Sequence, residues 1–179
     1  MLEVGKRYES PRTGTWIEVA ERSGGTMKFE RSYAPNTGRA DPHLHEDFTQ
    51  TWEAIAADGM IEVEGAEREF RTGDRVSLDP GTRHRDPWNP SSSPLHVRGT
   101  FDPVNDFIEA YAEAYAHQLT AEEGRLTDQD ELPLLQILVI AEATDGRSYG
   151  AFPPVAIQKL SLPVLAAIGR LRGYRARYG

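Results

Sequence analysis

The N-terminal part of the chain consists of short segments rich in β-branched and aromatic side chains, separated by glycine and proline turns. The segments 15–19 and 26–33 flank a Ser-Gly-Gly sequence at 23–25, which is typical of a hairpin. Further strands are predicted at 60–64, 68–71, 75–78 and 95–101. Many short strands at close spacing favour a sandwich or a closed barrel over alternating strands and helices. We therefore predict a mainly β fold for residues 1–101.

The pattern changes at Asp102 and Pro103, a pair that is typical of the start of a helix. Apolar residues then recur at helical spacing from Phe107 to Tyr115. Later helices are predicted at 134–143 and, with Pro163 in the first turn, at 162–174, and loops are predicted at 120–131 and 149–154. The sequence thus predicts a β-barrel over 1–101 and a helical C-terminal extension over 102–179. We expect this extension to pack on the barrel or on a partner subunit.

Composition and charge exclude several classes of function. The 179 residues include no cysteine, which excludes disulfides, thiolate nucleophiles and cysteine metal sites. A formal net charge of −8 argues against nucleic acid as a partner, because phosphate binding needs a basic face. The first residues lack the apolar core of a signal peptide, and no segment approaches the roughly 20 apolar residues of a membrane span. We therefore expect no membrane span and a cytoplasmic location.

Three of the five histidines form a pattern that is typical of a metal site. His43 and His45 are two residues apart, so on a strand both side chains point to the same face. His84 follows a turn that leads into another strand, and Gln50 lies just beyond a short turn after His45. Neutral imidazole is a common ligand of iron, manganese, nickel, zinc and copper. We predict that these residues bind one divalent metal ion, whose identity the sequence leaves open; Glu53 is an alternative fourth ligand.

The histidine segments resemble two sequence motifs of the cupin superfamily. The positions that match are Gly38, His43, His45, Gln50 and Gly59 in the first motif, and Gly73, Pro80, Gly81, His84 and Asn89 in the second. The resemblance implies a double-stranded β-helix, also called a jelly-roll barrel, with C-terminal α-helices in this chain. It also implies four metal ligands, of which the fourth is usually glutamate. Because Gln50 brings no charge, we expect weaker metal binding and a more electrophilic ion.

The side chains around the histidines suggest how a ligand would be held. Trp52 has the same strand parity as Gln50, so it could line the wall of a pocket. Glu46 could accept a hydrogen bond from a ligating histidine. The arginines that could hold a substrate carboxylate are Arg83, Arg85 and Arg98. His96 and His117 have no neighbouring ligand in the sequence and are expected to be structural or exposed.

The function implied by the resemblance remains open between two classes. One is a metal-dependent enzyme of the dioxygenase, isomerase or lyase type that acts on a small organic molecule. The other is a non-catalytic cupin that binds a small ligand or uses the metal to stabilise its barrel. The sequence assigns no general base, so no catalytic residue is named. We expect a homodimer and a small-molecule ligand.

Overall fold

The computed structural model describes residues 1–178, which form eleven strands and three helices. The strands are β1 (Arg7–Glu9), β2 (Trp16–Ser23), β3 (Thr26–Tyr33), β4 (His43–His45), β5 (Thr49–Ala56), β6 (Gly59–Val63), β7 (Ala66–Phe70), β8 (Arg75–Leu78), β9 (His84–Trp88), β10 (Leu95–Asp102) and β11 (Ser148–Gly150). The helices are α1 (Asp106–Thr120), α2 (Leu134–Thr144) and α3 (Val155–Leu171).

Two antiparallel sheets form the barrel. The first has the order β1-β2-β3-β10-β5-β8 and the second the order β11-β4-β9-β6-β7. Between β3 and β10 the chain changes sheet at every step except the β6–β7 hairpin. Two strands that wind together and alternate between facing sheets define a jelly-roll barrel. The predicted fold class, a mainly β jelly roll with C-terminal helices, is confirmed.

A glycine shapes the inner face of the first sheet. Gly99 in β10 pairs with Phe29 in β3. A Cβ atom at position 99 would lie 2.2 Å from the Phe29 ring, so a larger residue would push that ring away. The ring instead stacks on Phe101, with centroids 5.1 Å apart. The absence of a side chain at Gly99 therefore fixes where the Phe29 ring lies in the barrel.

The first helix begins later than predicted. Asp102 still pairs with Thr49 as the last residue of β10, so it cannot serve as the helix cap. Asn105 has this role: its Oδ1 accepts a hydrogen bond from the Ile108 amide at 3.0 Å. Asparagine and aspartate cap helices about equally well, so composition alone did not distinguish the two positions.

The predicted loop at 149–154 contains a strand. In β11, Ser148 pairs with His45 and Gly150 pairs with His43. A strand of three residues has too few positions to show an alternating pattern, and it forms because β4 offers an unpaired edge. The segment after α2 therefore lies directly beside the histidine strand.

The last helix begins at Val155 rather than at 162, and Pro163 lies in its interior. Proline lacks the amide hydrogen that would bond one turn back, so the helix continues through one missing hydrogen bond. Close packing on α2 holds it, since a Cβ atom at Gly169 would lie 2.6 Å from Val139. The other face of α3 exposes apolar side chains at Ile157, Leu160, Val164, Ile168 and Leu171.

One hydrophobic cluster joins the barrel to the helices. It contains Phe29 and Val97 from the first sheet, Ile61 from the second, and Phe107 and Ile140 from the helices. Because these residues share one cluster, the helices after β10 cover apolar surface of the barrel. None of the helices in residues 1–178 has the length and apolar character needed to cross a membrane.

Candidate metal centre and adjoining cavity

The three histidines of the predicted site lie together on the second sheet. β4 and β9 are neighbours, and their register pairs His43 with His84. The ring centroids are 4.5 Å apart for His43 and His84, 5.0 Å for His43 and His45, and 5.2 Å for His45 and His84. One ring nitrogen from each residue lies within 4.8 Å of the others. This group, the histidine cluster, could hold a metal ion.

Each ring is oriented by a hydrogen bond at its Nδ1 atom. His43 Nδ1 lies 2.8 Å from the carbonyl oxygen of Asp41, and His84 Nδ1 lies 2.9 Å from that of Thr82. A carbonyl oxygen only accepts, so both Nδ1 atoms carry the hydrogen. His45 Nδ1 lies 2.7 Å from Ser148 Oγ. These outer contacts leave the three Nε2 atoms as the available ligand atoms.

The two buried Nε2 atoms, those of His45 and His84, both lie near the Gln50 side chain. His45 Nε2 is buried and makes no hydrogen bond of normal geometry to any residue in 1–178. His84 Nε2 lies 3.1 Å from Gln50 Oε1. Since the His84 hydrogen is on Nδ1, both atoms of this pair are acceptors. Two lone pairs at this distance are unfavourable unless a proton or a cation lies between them, or unless the amide turns its NH2 group toward the ring.

The environment keeps the buried rings neutral. Burial, then the His43 and His84 rings, lower the pKa of His45 well below its usual value. Burial is also the largest influence that lowers the pKa of His84, with His43 adding to it and Asp86 opposing it. Neutral imidazole is the form that binds metal ions, so these shifts favour ligation near neutral pH.

Asp86 is a neighbour of the cluster that was not predicted. It lies two residues after His84 on β9 and therefore points to the same face. Its Oδ1 lies 3.6 Å from His84 Nε2 and 3.9 Å from His43 Nε2, and it accepts a hydrogen bond from Trp52 Nε1 at 3.0 Å. The sequence did contain a signal for this carboxylate, because Asp86 is two residues from His84 on a predicted strand.

Ser148 is the second residue near the cluster that was not predicted, and it bonds His45 where Glu46 could have done so. Glu46, a turn residue that could have bonded a ligating histidine, is exposed and forms an ion pair with Lys159 at 3.9 Å. Glu46 directly follows His45, so its side chain points away from the cluster. Ser148 comes from β11, more than a hundred positions along the chain. No local pattern in the sequence indicated that contact.

The three arginines that could hold a carboxylate instead have acidic partners or lie at the surface, which is the more common situation for such residues. Arg85 Nε donates to Glu62 at 2.6 Å, and Arg98 Nη2 donates to Glu30 at 2.7 Å. Arg83 is exposed. A chain with more acidic than basic residues supplies such partners readily. The arginine that does lie at the interior of the barrel is Arg31, which was not predicted.

The remaining predicted residues lie apart from the cluster. Glu53 contacts Arg98 at 3.6 Å and Arg75 at 3.5 Å, on the face of β5 opposite Gln50. His96 bonds Glu30 at 3.0 Å, and the His117 ring stacks on Tyr178 with centroids 4.1 Å apart. The structure therefore brings His43, His45, His84 and Gln50 together and separates the alternatives from them.

A cavity of about 50 Å³ lies in the barrel beside this site. Gln50 and Asp86, which both approach His84, line it together with Trp52, Arg31, Tyr111 and Tyr115. Its other walls are apolar and include Met27, Phe29 and Ile108. Trp52 belongs to the hydrophobic core and also lines the cavity, as its strand parity allowed. The tyrosines come from α1, so the helical segment after the barrel encloses part of the cavity.

A buried charged group lies at the cavity wall. Arg31 Nη2 donates to Glu131 Oε1 at 2.9 Å and to the Asp130 carbonyl at 3.1 Å. Its guanidinium carbon lies 4.1 Å and 4.4 Å from the ring centroids of Tyr33 and Tyr115. Burial is the largest single influence and opposes the charge, but the Glu131 carboxylate and the surrounding tyrosines together outweigh it and raise the pKa of Arg31 well above its usual value. We call Arg31, Tyr33, Tyr111, Tyr115 and Glu131 the arginine cluster.

The chain was compared with protein families, curated proteins and solved structures. No family model and no curated protein matches it. Similar solved structures include a Cupin 2 conserved barrel domain protein from Salinispora arenicola, with 22% identity, 50% of this chain and 76% of that chain covered, and a TM-score of 0.42. A predicted oxalate decarboxylase from Thermotoga maritima has 15% identity, coverages of 55% and 90%, and a TM-score of 0.43.

A further similar structure is an RmlC-like cupin from Shewanella frigidimarina, with 14% identity, coverages of 57% and 90%, and a TM-score of 0.44. Independently of these, the order of the strands in the two sheets is that of a jelly-roll barrel, and the histidine motifs lie on its neighbouring strands β4 and β9. The chain therefore has a jelly-roll barrel with a histidine cluster that could hold a metal ion.

Proposed function

We propose that His43, His45, His84 and Gln50 bind one divalent metal ion, and that the protein acts on a small organic molecule beside it. The observation that carries the proposal is the set of three Nε2 atoms turned to one place. Each ring is held from behind at Nδ1, and the buried His45 Nε2 has no hydrogen bond of normal geometry within the described chain. A buried unsatisfied polar atom is costly, and a cation would satisfy it.

The set of donors fits a transition metal. Three neutral imidazoles and an amide oxygen suit iron, manganese, nickel, zinc or copper better than calcium, which prefers oxygen ligands. The Asp86 carboxylate adds negative charge within 4 Å of two of the rings. It therefore compensates in part for the missing charge at Gln50, so the ion would be less electrophilic than the sequence alone predicts.

Asp86 also supports an enzymatic role. It lines the cavity, so a molecule bound there would contact its carboxylate. A metal ion would polarise such a molecule, and a carboxylate beside it can accept a proton. Among the dioxygenase, isomerase and lyase types, this arrangement favours the isomerase and lyase types, which move a proton.

A second candidate is a non-catalytic cupin that binds a small ligand or uses the metal to stabilise its barrel. The size of the cavity favours the stabilising role, because about 50 Å³ is small beside the 300–1,000 Å³ or so of common ligand pockets. We also propose that the protein is a homodimer. The exposed apolar face of α3, with Leu160 83% and Leu171 88% exposed, supports this. A cytoplasmic location stays a prediction.

Metal analysis of untagged protein tests the metal site. We expect about one equivalent of a transition metal after purification or after loading with zinc and desalting. The variant with His43→Ala, His45→Ala and His84→Ala should lose it. The matched control is His96→Ala with His117→Ala, which removes the two histidines outside the cluster and should keep the metal.

Folding must be checked for each variant by circular dichroism. His43→Ala provides a milder test, because His43 is only half-buried and its loss should disturb the barrel least. A folded triple variant that keeps one equivalent of metal would contradict the proposal. Loss of metal from the His96 and His117 control would also contradict it, because the metal would then lie elsewhere.

A further inference from the structure

Strand β11 lies at the edge of the second sheet, beside β4. The Ala151 amide donates to the Pro42 carbonyl at 2.8 Å, and the Glu46 amide donates to the Arg147 carbonyl at 3.0 Å. In an antiparallel pair, successive residues direct their backbone amide and carbonyl groups to alternate sides. The amide and the carbonyl of Gly150, one position before Ala151, therefore point away from β4.

Gln158 on α3 bonds both of these outward groups. Its Oε1 accepts from the Gly150 amide at 3.0 Å, and its Nε2 donates to the Gly150 carbonyl oxygen at 2.8 Å. Its Nε2 also donates to the carbonyl oxygen of Pro153. A carboxamide offers a donor and an acceptor side by side, as a backbone peptide does. Gln158 thus takes the place of a further strand beside β11.

The next residue of α3 contacts the same two strands more weakly. Lys159 Nζ lies 5.1 Å from the centroid of the Tyr149 ring in β11. It also lies 3.9 Å from a carboxylate oxygen of Glu46, directly after β4. An exposed ion pair at this distance contributes little. The two short hydrogen bonds of the half-buried Gln158 are therefore the main link between α3 and β11.

β11 in turn orients a histidine of the cluster. Ser148 is paired with His45, and its Oγ lies 2.7 Å from His45 Nδ1. Ser148 and Gly150 are the two ends of a strand of only three residues, so a displacement of Gly150 also moves Ser148. A shift of about 1 Å would stretch the contact with His45 beyond the range of a hydrogen bond.

We propose that Gln158 is a positioning residue of the metal centre. By bonding Gly150 it holds Ser148 against His45, and so it fixes the orientation in which His45 presents Nε2. The role in metal binding rests on the proposed function, whereas the role in orienting the ring stands without a metal ion. The C-terminal extension is then part of the centre as well as a cover for the barrel.

Calorimetric titration of Gln158→Leu with zinc tests this role. Loss of an outer partner of a ligating histidine typically lowers metal affinity by about 10- to 100-fold, and Gln158 acts one step further away, so we expect a loss of about 3- to 10-fold. The double variant with Ser148→Ala should bind zinc no more weakly than Ser148→Ala alone, because both substitutions act through one contact. Unchanged affinity in a folded Gln158→Leu variant, or full additivity of the two losses, would overturn the proposal.

Gln118→Leu is the matched control. The Gln118 amide also joins two segments, accepting from the Arg125 amide at 2.9 Å and donating to the Tyr178 hydroxyl at 3.2 Å. This variant should lower Tm much as Gln158→Leu does and should leave zinc affinity unchanged. Equal losses of zinc affinity in the two variants would overturn the proposal, because the effect would then be one of general stability.

NMR of the metal-free protein separates this proposal from that of the metal site. The nitrogen shifts of the His45 ring report which nitrogen carries the hydrogen, and the partner at Nδ1 sets that choice. We expect one tautomer in the unmodified protein and in Gln118→Leu, and a mixture in Gln158→Leu. An unchanged tautomer in Gln158→Leu would overturn the positioning role whether or not the protein binds zinc. A mixture there would support the role even if the unmodified protein bound no zinc and the metal proposal failed.

Discussion

The histidine cluster and the arginine cluster are built in opposite ways. The histidine cluster consists of three rings that lie close together because strand β4 pairs with strand β9. Burial lowers the pKa of His45 and of His84, so these two rings are neutral. The arginine cluster joins a strand residue, Arg31, to residues of α1 and of the following loop, and it keeps a full charge. One cluster offers lone pairs to a cation, and the other already contains its own buried ion pair between Arg31 and Glu131.

This difference determines how much stability the protein loses when a residue of either cluster is removed. A neutral ring that loses a neighbour leaves a polar atom unsatisfied, which costs about 1–3 kcal/mol. A buried charge that loses its partner costs more, because the field of the remaining ion is no longer compensated. The arginine cluster should therefore dominate the stability of the metal-free protein, and the histidine cluster should dominate its response to metal.

The largest effect is expected for Arg31→Met. This substitution leaves the Glu131 carboxylate buried without its partner, and we expect the free energy of unfolding to fall by about 3–5 kcal/mol. Metal-free His84→Ala should cost less, because it removes a neutral ring. Urea denaturation of both variants at neutral pH measures the difference. A loss for Arg31→Met no larger than that for His84→Ala would contradict the contrast between the clusters.

The pH dependence of the Arg31→Met variant gives an internal check. Burial raises the pKa of Glu131 already in the native protein. Without Arg31 the folded state holds this proton more strongly than the unfolded chain does. Since the folded state then binds more protons, the stability of the variant should fall as the pH rises above about 4.5. A second substitution, Glu131→Gln, should remove this dependence and restore part of the stability.

Metal should act on the other cluster. At a free zinc concentration of about 100 times the Kd, binding to the folded state stabilises it by about 2.7 kcal/mol. For a domain of this size we expect Tm to rise by about 5–10 °C. Arg31→Met should keep this rise although it starts from a lower Tm, and His84→Ala should lose most of it. Thermal unfolding with and without a chelator measures the rise in Tm for each variant. Equal rises in Arg31→Met and His84→Ala would contradict the claim that only the histidine cluster responds to metal.

The outer contact of His45 predicts a smaller change. Ser148 orients the ring through Nδ1, and loss of such a partner typically lowers metal affinity by about 10- to 100-fold. Ser148→Ala should therefore weaken zinc binding by that factor with little change in the stability of the metal-free protein. Ser77→Ala, on β8 in the other sheet, is the control. Calorimetric titration that finds the two variants equal would remove Ser148 from the site.

The contrast between the clusters also explains what the sequence could predict. The barrel was predicted from alternating strands and turns, because both signals lie within a few residues. The histidines were predicted because two of them share one strand face and the third follows a recognisable turn. The same reasoning, applied to His84 and Asp86, would have predicted that the Asp86 carboxylate lies on the same strand face as His84.

Other parts of the site depend on contacts between distant segments. Ser148 reaches His45 only because β11 pairs with β4, and Tyr115 reaches Arg31 only because α1 covers the barrel. Arg31 has no feature in its own segment that distinguishes it from the arginines paired at the surface. The start of α1 after Asn105 depends on strand pairing, and the early start of α3 depends on helix packing. Neither can be predicted from the local sequence.

The smallest effect is expected from the exchange of charge between Gln50 and Asp86. Gln50→Glu places a carboxylate against His84 Nε2 with little change in side-chain length. Attraction to a divalent ion should raise zinc affinity, but burial of the new charge and repulsion from Asp86 oppose it, so we expect a gain of only about tenfold. Asp86→Asn should lower the affinity in turn. Combined with Gln50→Glu, it should leave affinity near that of the unmodified protein, because one carboxylate replaces the other.

Calorimetric titration of these variants with zinc separates a ligand from a neighbour. If Gln50 is a ligand, Gln50→Ala should lose affinity while Gln50→Glu gains it, because the amide oxygen is removed in one and charged in the other. If Gln50→Glu and Gln50→Ala both leave zinc affinity unchanged, Gln50 lies outside the coordination sphere. The site would then consist of three histidines, with Asp86 as the one carboxylate beside it, and the position at Gln50 would be open to the ligand in the cavity.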